Sequence, residues 1–181
     1  MPATRKYGWR SERSQEDAVP VTSSGDRTLF RLTKLNVPAP VARADVPFRI
    51  VGASCSEDLA RFAADGDLTT RWDCGTRTEG QRITLDLGQP VTIAGVSPAV
   101  GPFDYDAPHH LEIDVSDSGR EWRQAWRGLT FAQSLTGALQ DVRRHEVSIW
   151  FDPVKARYVR LTQIGDKTNF YWSLAELRVM R

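Results

Sequence analysis

The chain has 181 residues, 40% of them hydrophobic, with 24 Lys/Arg against 23 Asp/Glu. That length can bury one sizeable core with a short appendage, and a net charge of +1 lacks the basic stripe that nucleic-acid binders carry. No stretch approaches the roughly 20 apolar residues that span a bilayer. The N-terminus has no signal-peptide core, so the sequence reads either as cytoplasmic or as a piece of a longer protein.

Residues 1–20 are polar and charged. "RTLFRLTKL" (27–35) has apolar residues at 29, 30, 32 and 35, the pattern of a strand. "NVPAPVARADVP" (36–47) carries three prolines and reads as an extended linker. Residues 1–45 are therefore an N-terminal extension and Pro-rich linker, of the kind that forms the tail of a preceding domain, and 46–181 are the main domain. From there the predicted elements are short β-segments. "FRIVGAS" opens, and "RITLDLG" (82–88) alternates Ile83, Leu85 and Leu87 with polar residues, a half-buried strand. "VTIAGVSPAV" follows the turn "GQP". "HLEIDVS" (110–116) ends at the turn "DSG" and "REWRQAW" continues it, so 111–126 reads as a hairpin. "LTGALQDVRR" (135–144) fits a helix or a long lid. "HEVSIWF" (145–151), "RYVRLTQI" (157–164) and "LAELRVM" (174–180) complete the set. Seven or so strands with turn signals every 8–12 residues predict an antiparallel sandwich.

Catalysis needs convergent titratable groups, and few are offered. The histidines are His109, His110 and His145. The first two open a predicted strand, where neighbours face opposite sides. There is no HExxH, GxSxG, CxxC or phosphate-cradling glycine loop, and the hydroxyls of "SDSG" sit where side chains satisfy local backbone groups. The chain is expected to be non-catalytic. Ligand binding on a sandwich uses loops at one end. "GPFDYDAPHH" (101–110) offers Phe103, Asp104, Tyr105, Asp106 and His109. "IGDKTNFYWS" (164–173) offers Lys167, Asn169, Phe170 and Tyr171, and "GTRTEGQ" (75–81) offers Arg77 and Glu79. The alternative for each aromatic is to tuck under its own loop, the expected fate of Trp172. "AADGDLTTRW" (63–72) reads as a turn, an ion site or part of a pocket.

Five pieces occur in order: "DGDLTTRW", "QRITLDLGQPVTIAGV", "LEIDVSDSGREW", "ARYVRLTQ" and "WSLAELRV". Together, across 46–181, they resemble the coagulation factor 5/8 type C (discoidin) domain. The same fold includes the galactose-binding-like carbohydrate modules attached to many bacterial enzymes. The resemblance implies an all-β, antiparallel jelly-roll β-sandwich of about eight strands. It also implies a structural calcium held by Asp65, Asp67, Thr70, Glu176 and the Ala175 carbonyl, a donor set of the hard oxygens calcium prefers. It places Cys55 and Cys74 on a neighbouring strand and loop, where a disulfide is geometrically plausible, with the extracytoplasmic setting that disulfides accompany. It puts Trp72 and Trp122 in the core and leaves Trp150 open between core and surface.

The implied partner is a glycan or cell-envelope polysaccharide, bound by the loops at one end. Galactose-binding members carry an arginine and then an asparagine after the "DLG…V" strand. Here that loop is "VGPFDYDAP", so a sugar would be held differently. "YGWRSE…DRTLFRL" and "WSLAEL" are also similar to the C-terminal ends of large bacterial envelope proteins such as membrane glycosyltransferases. That implies a second reading, an interaction or scaffold domain docked on another part of a longer parent, with Met1 not the natural beginning.

Overall fold

The computed structural model describes residues 18–24, 27–32 and 44–181, the first two stretches and Lys167 and Thr168 without their side chains. The chain divides into two compact units, Met1–Ala42 and Arg43–Arg181. In the first, β1 (Ala18–Ser24) and β2 (Arg27–Leu32) pair antiparallel from Ala18–Leu32 to Ser24–Arg27, with a register shift between Pro20 and Thr22.

The second unit holds eight strands and is the sandwich. They are β3 (Arg49–Ala53), β4 (Trp72–Arg77), β5 (Arg82–Ala99), β6 (His110–Ser116), β7 (Arg123–Leu129), β8 (Ile149–Gln163), β9 (Lys167–Leu174) and β10 (Glu176–Met180). A 3₁₀ helix covers Glu57–Ala64, a 3₁₀ turn Asp104–Asp106, and one α-helix, α1, Phe131–Gln140. The main sheet runs β10-β5-β8-β6-β7, with β3 also on β5, and β4 pairs with β9 in a sheet of two. All pairs are antiparallel.

Two predicted strand pairs are each one long strand. "RITLDLG" and "VTIAGVSPAV" form β5, and "HEVSIWF" merges with "RYVRLTQI" into β8. Their mutual pairing breaks between Asp86–Tyr158 and Val91–Ala156, where "GQP" interrupts the ladder because proline has no N–H to donate. Either side of this break β5 takes different neighbours: β3 along 83–86 and β10 along 95–99. Asp86 locks the bend. Its buried carboxylate accepts from Arg157 Nε at 2.9 Å, Arg157 Nη2 at 3.0 Å and the Gly88 amide at 2.8 Å. The Arg157 hydrogen bonds hold its pKa down at about 2.

The alternation in the sequence becomes the core. Ile83, Leu85, Ile93, Val96, Leu111, Ile113, Val115, Ile149, Val159 and Leu161 are fully buried, each stabilising by about 1.5–3 kcal/mol on transfer from water. Trp72 and Trp172 lie in this core edge to face, ring centroids 5.0 Å apart. Trp122 departs from its expected core position: it is half-buried at the β6–β7 turn, with the Arg160 guanidinium 4.2 Å from its ring. Trp150 is exposed on β8. Cys55 and Cys74 form a disulfide with Cα atoms 5.4 Å apart, joining the segment after β3 to β4. The turn "SDSG" satisfies itself, Ser116 Oγ accepting from the Gly119 amide at 2.9 Å.

Candidate functional site

The 65–70 loop is closed by hydrogen bonds from its amides and hydroxyls to its own carboxylates. Asp65 accepts from the Asp67 amide at 3.0 Å and the Thr70 hydroxyl at 2.8 Å. Asp67 Oδ1 accepts from the Thr69 amide at 2.8 Å and hydroxyl at 2.7 Å, and these bonds hold its carboxyl below the usual aspartate range. Glu176, at the start of β10, reaches back to the Gly66 amide at 2.5 Å. Loop and final strand thus meet across 110 residues. Among the described residues no three His, Cys, Asp or Glu side chains form a metal-binding group. A cation here would rest on Asp65 and Glu176 together with hydroxyl and carbonyl oxygens, and that hard-oxygen set suits calcium. Thr69, which sequence reading left out, is the residue that occupies Asp67.

The same loop abuts the start of the 101–110 segment. A side chain at Gly101 would meet the Leu68 carbonyl oxygen at 2.7 Å and the Ala175 methyl at 3.3 Å, so glycine permits this approach. Two arginines, Arg71 just before β4 and Arg77 at its end, then pin the segment. Arg71 donates to Asp106 Oδ2 and to Asp73 Oδ2, both at 2.8 Å, and its guanidinium lies 4.0 Å from the Phe103 ring centroid. Asp106, only 5% exposed, also accepts from Ser173 on β9 at 2.7 Å. A buried carboxylate is tolerated because it is paired in this way.

Arg77 differs from its expected role as a ligand contact. It is 5% exposed and donates to the carbonyls of Tyr171 (2.8 Å), Tyr105 (3.1 Å) and Ala107. Burial pushes its guanidinium below the usual arginine value, opposed by the charge of Asp106. The residue is a positioning one, gathering the three candidate loops onto a single point. The 75–81 loop is closed from the other side, where the Glu79 amide donates to Asp166 Oδ1 at 2.7 Å.

What projects from this frame is aromatic. Tyr105 is 82% exposed, and Phe170 and Tyr171 are also exposed, the Phe170 ring 5.3 Å from the Arg77 guanidinium. The segment read as the loop 164–173 is strand β9 from Lys167 onward. Its register on β4 shifts twice between Asp73 and Arg77, and bulges of this kind re-aim side chains, so Phe170 and Tyr171 both reach solvent. Asp104 and Asn169, which precede Tyr105 and Phe170 in the chain, are exposed, as is His109, and Phe103 is half-buried. The side chain of Lys167 lies outside the described residues.

Asp104 is held from behind by a residue that sequence reading placed at a strand start. His145, 5% exposed with φ 41°, sets Nδ1 3.2 Å from Asp104 Oδ1 and Nε2 2.8 Å from Ser134 Oγ on α1. Serine, histidine and aspartate in series have the order of a proton relay. Neither Ser134 nor His145 lines the cleft of about 330 Å³ beside α1, walled by Gln133, Thr136, Gln140, Glu146 and Trp150 among others. The series is a strut between α1 and the 101–110 segment. A larger cleft of about 480 Å³ lies between β3 and the 57–64 helix and shares no residue with the candidate loops.

A protein-family model described as the F5/8 type C domain matches residues 52–177. The chain belongs to that family. Solved structures of low sequence identity share its fold. One is a truncated AlyQ with CBM32 and alginate lyase domains (23% identity, TM-score 0.59), of which the chain spans 33% while 77% of the chain is covered. Another is CpGH89CBM32-5 from Clostridium perfringens, in complex with GalNAc-β-1,3-galactose (23% identity, TM-score 0.60, 76% of this chain and 100% of that one). A third is the family 32 CBM of C. perfringens NanJ in complex with galactose (19% identity, TM-score 0.58, 77% and 99%). Among curated protein sequences no match is found. The F5/8 type C match begins inside β3 and ends inside β10, so it takes in every residue of the aromatic face.

Proposed function

We propose that this F5/8 type C domain is a non-catalytic carbohydrate-binding module, working extracytoplasmically on a glycan or cell-envelope polysaccharide. The observation that carries the reading is the exposure of Tyr105, Phe170 and Tyr171 around the buried Arg77. Aromatic faces pack against the C–H faces of sugar rings, while neighbouring polar groups orient the hydroxyls. Asp104, His109 and Asn169 supply those groups. Support also comes from solved structures of like fold described as carbohydrate-binding modules, two of them with sugars bound. Calorimetric titration with galactose, N-acetylhexosamines and envelope polysaccharide tests it: saturable heat that Tyr105→Ala abolishes is the expected result, and silence at millimolar sugar overturns it.

The 65–70 loop is the proposed seat of a structural calcium, with Asp65, Thr70 and Glu176 as side-chain ligands and Asp67 and Ala175 adding oxygens. The ion would tie the loop to β10 and take no part in chemistry. Metal analysis of purified protein is the direct check, and an absence of calcium at millimolar supply sinks it.

A disulfide between Cys55 and Cys74 favours the extracytoplasmic setting, and among the described residues no helix is long and apolar enough to cross a membrane. The second reading is a scaffold domain at the end of a larger envelope protein; that a like fold forms one part of the longer AlyQ chain, of which this chain spans 33%, is compatible with both readings. Hydrogen exchange separates the two: loop protection seen only in the longer parent would mark docking.

A further inference from the structure

We infer that the cleft between α1 and the start of β8 is a second sugar-binding subsite, taking an uncharged hexopyranose unit of a polysaccharide. The ligand class rests on the glycan reading above; the residues belong to none of the candidate loops. The cleft encloses about 330 Å³ and is lined by Gln133, Thr136 and Gln140 of α1 with Glu146, Ser148 and Trp150. That is the small end of the roughly 300–1,000 Å³ of ligand sites, room for a monosaccharide unit rather than a long run of chain.

Trp150 is the platform. It pairs with Gly95 of β5 across the ladder, and a Cβ at Gly95 would stand 2.9 Å from Trp150 Cε3. Glycine therefore lets the indole lie close on the bare strand, a cross-strand contact that holds the ring in place. Ile149 is buried, so Ser148 and Trp150 take the opposite face of the sheet. Trp150 keeps 40% of its surface exposed, a fixed ring of the kind that packs on sugar C–H faces.

The polar groups come from α1 and Glu146. Gln133, Thr136 and Gln140 recur at three and four residues, one face of the helix, while Phe131, Leu135 and Leu139 are exposed on another. Gly137 seats the helix, since a Cβ there would collide with the Glu146 carbonyl. Gln133 Oε1 is shut off from solvent and has no hydrogen-bond partner among the described residues. A buried acceptor without a donor is costly, and turning this amide onto a hydroxyl in the cleft relieves it. The Glu146 carboxylate accepts from Arg178 Nη1 at 3.1 Å, and Arg144 Nε lies 3.5 Å away, so it is a fixed acceptor for hydroxyls. No lysine or arginine lines the cleft. An acidic sugar finds no cation to face and meets Glu146 instead, which selects a neutral ring.

Heteronuclear NMR of the whole chain is the test. Galactose, glucose and mannose are titrated in turn to about 50 mM, saturating for a millimolar Kd, and then galacturonate, glucuronate and mannuronate. At least one hexose is expected to move the Trp150 indole N–H and the amides of 133–140 and 146–150 saturably, with its uronate about tenfold weaker. Trp150→Ala should weaken that response by about tenfold or more, and Trp150→Phe should keep it. Gln140→Ala, at an exposed helical position that alanine suits, should weaken it by about threefold with the fold intact. Silence of 133–140 and 146–150, which a cleft filled by another part of the chain would also give, overturns the subsite whether or not residues 103–109 and 169–171 respond. A uronate that binds as well as its hexose overturns it, as does a response that survives both Trp150→Ala and Gln140→Ala. A response in the cleft with silence at 103–109 and 169–171 overturns the aromatic-face reading alone and leaves the subsite standing.

Discussion

Three consecutive aromatics on β9 meet opposite fates. Trp172 is fully buried against Trp72, while Phe170 and Tyr171 stand in solvent. The difference does not lie in hydrophobicity, since all three are large and apolar. It lies in the backbone: β4 and β9 are in register at Trp72–Leu174 and Asp73–Ser173, then slip before Thr76–Tyr171 and again before Arg77–Lys167. Past the slip the strand no longer alternates into the core, and Arg77 holds it through the Tyr171 carbonyl rather than through a side chain. One half of a strand pair builds the core and the other half builds a face, with a buried cation marking the change.

That contrast can be broken in graded ways. Trp172→Ala should cost the most, about 3–5 kcal/mol, read as a large drop in urea midpoint with loss of cooperative folding near 37 °C. Replacing Cys55 and Cys74 by serine opens a link of sequence separation 19 and should cost ~3 kcal/mol. A reductant should reproduce the shift in the parent and leave the variant unmoved. Arg77→Met keeps the stem but leaves carbonyls without donors, at about 1–3 kcal/mol. Its signature is that amides of 103–107 and 169–171 exchange faster while those of the Trp72–Trp172 core do not; equal acceleration in both halves would erase the distinction between them.

A smaller effect is confined to acid. Asp86 is held at about 2 in the folded state by Arg157, below the ordinary aspartate value of about 3.9. The stabilisation is therefore present above about pH 4 and is lost as pH falls towards 2. Asp86→Asn should flatten the pH dependence of the thermal midpoint across that window, and an unchanged slope contradicts the assignment. Least of all in stability, Tyr105→Ala should shift the midpoint by under ~0.5 kcal/mol, as surface changes do, while removing sugar binding. A Tyr105 variant that unfolds the domain would place that ring in the core half after all.

Much of the frame was legible as pattern. The alternation of Ile83, Leu85 and Leu87 and of Leu111, Ile113 and Val115 needs only period-2 burial to be read, and the self-satisfied "SDSG" turn needs only local chemistry. The bend of β5 was read as a break because "GQP" looks like a turn; Asp86 and Arg157, 71 residues apart, keep it one strand. The 135–144 stretch, which by sequence fits a helix or a long lid, is helical only as far as Gln140, in a helix that starts at Phe131; no capping side chain marks that start, and Gly137 seats the helix against the Glu146 backbone. For the candidate site, the exposed positions Asp104, Tyr105, His109, Asn169, Phe170 and Tyr171 were named from loop chemistry. Arg71 and His145, which hold those positions, were not. An arginine before a buried tryptophan and a histidine at a strand start carry no local sign of the partner they will meet.

The amino-acid order by itself determined the β-sandwich and the chemistry available at its loops, since both follow from period, turn residues and side-chain type, which are local quantities. Tertiary structure alone decided that Arg77 would be a buried clamp rather than a surface hand, that Thr69 would occupy Asp67, and that α1 would turn its apolar side outward. Each of those outcomes depends on desolvation and on donors and acceptors brought together from distant segments, and no neighbour in sequence specifies them.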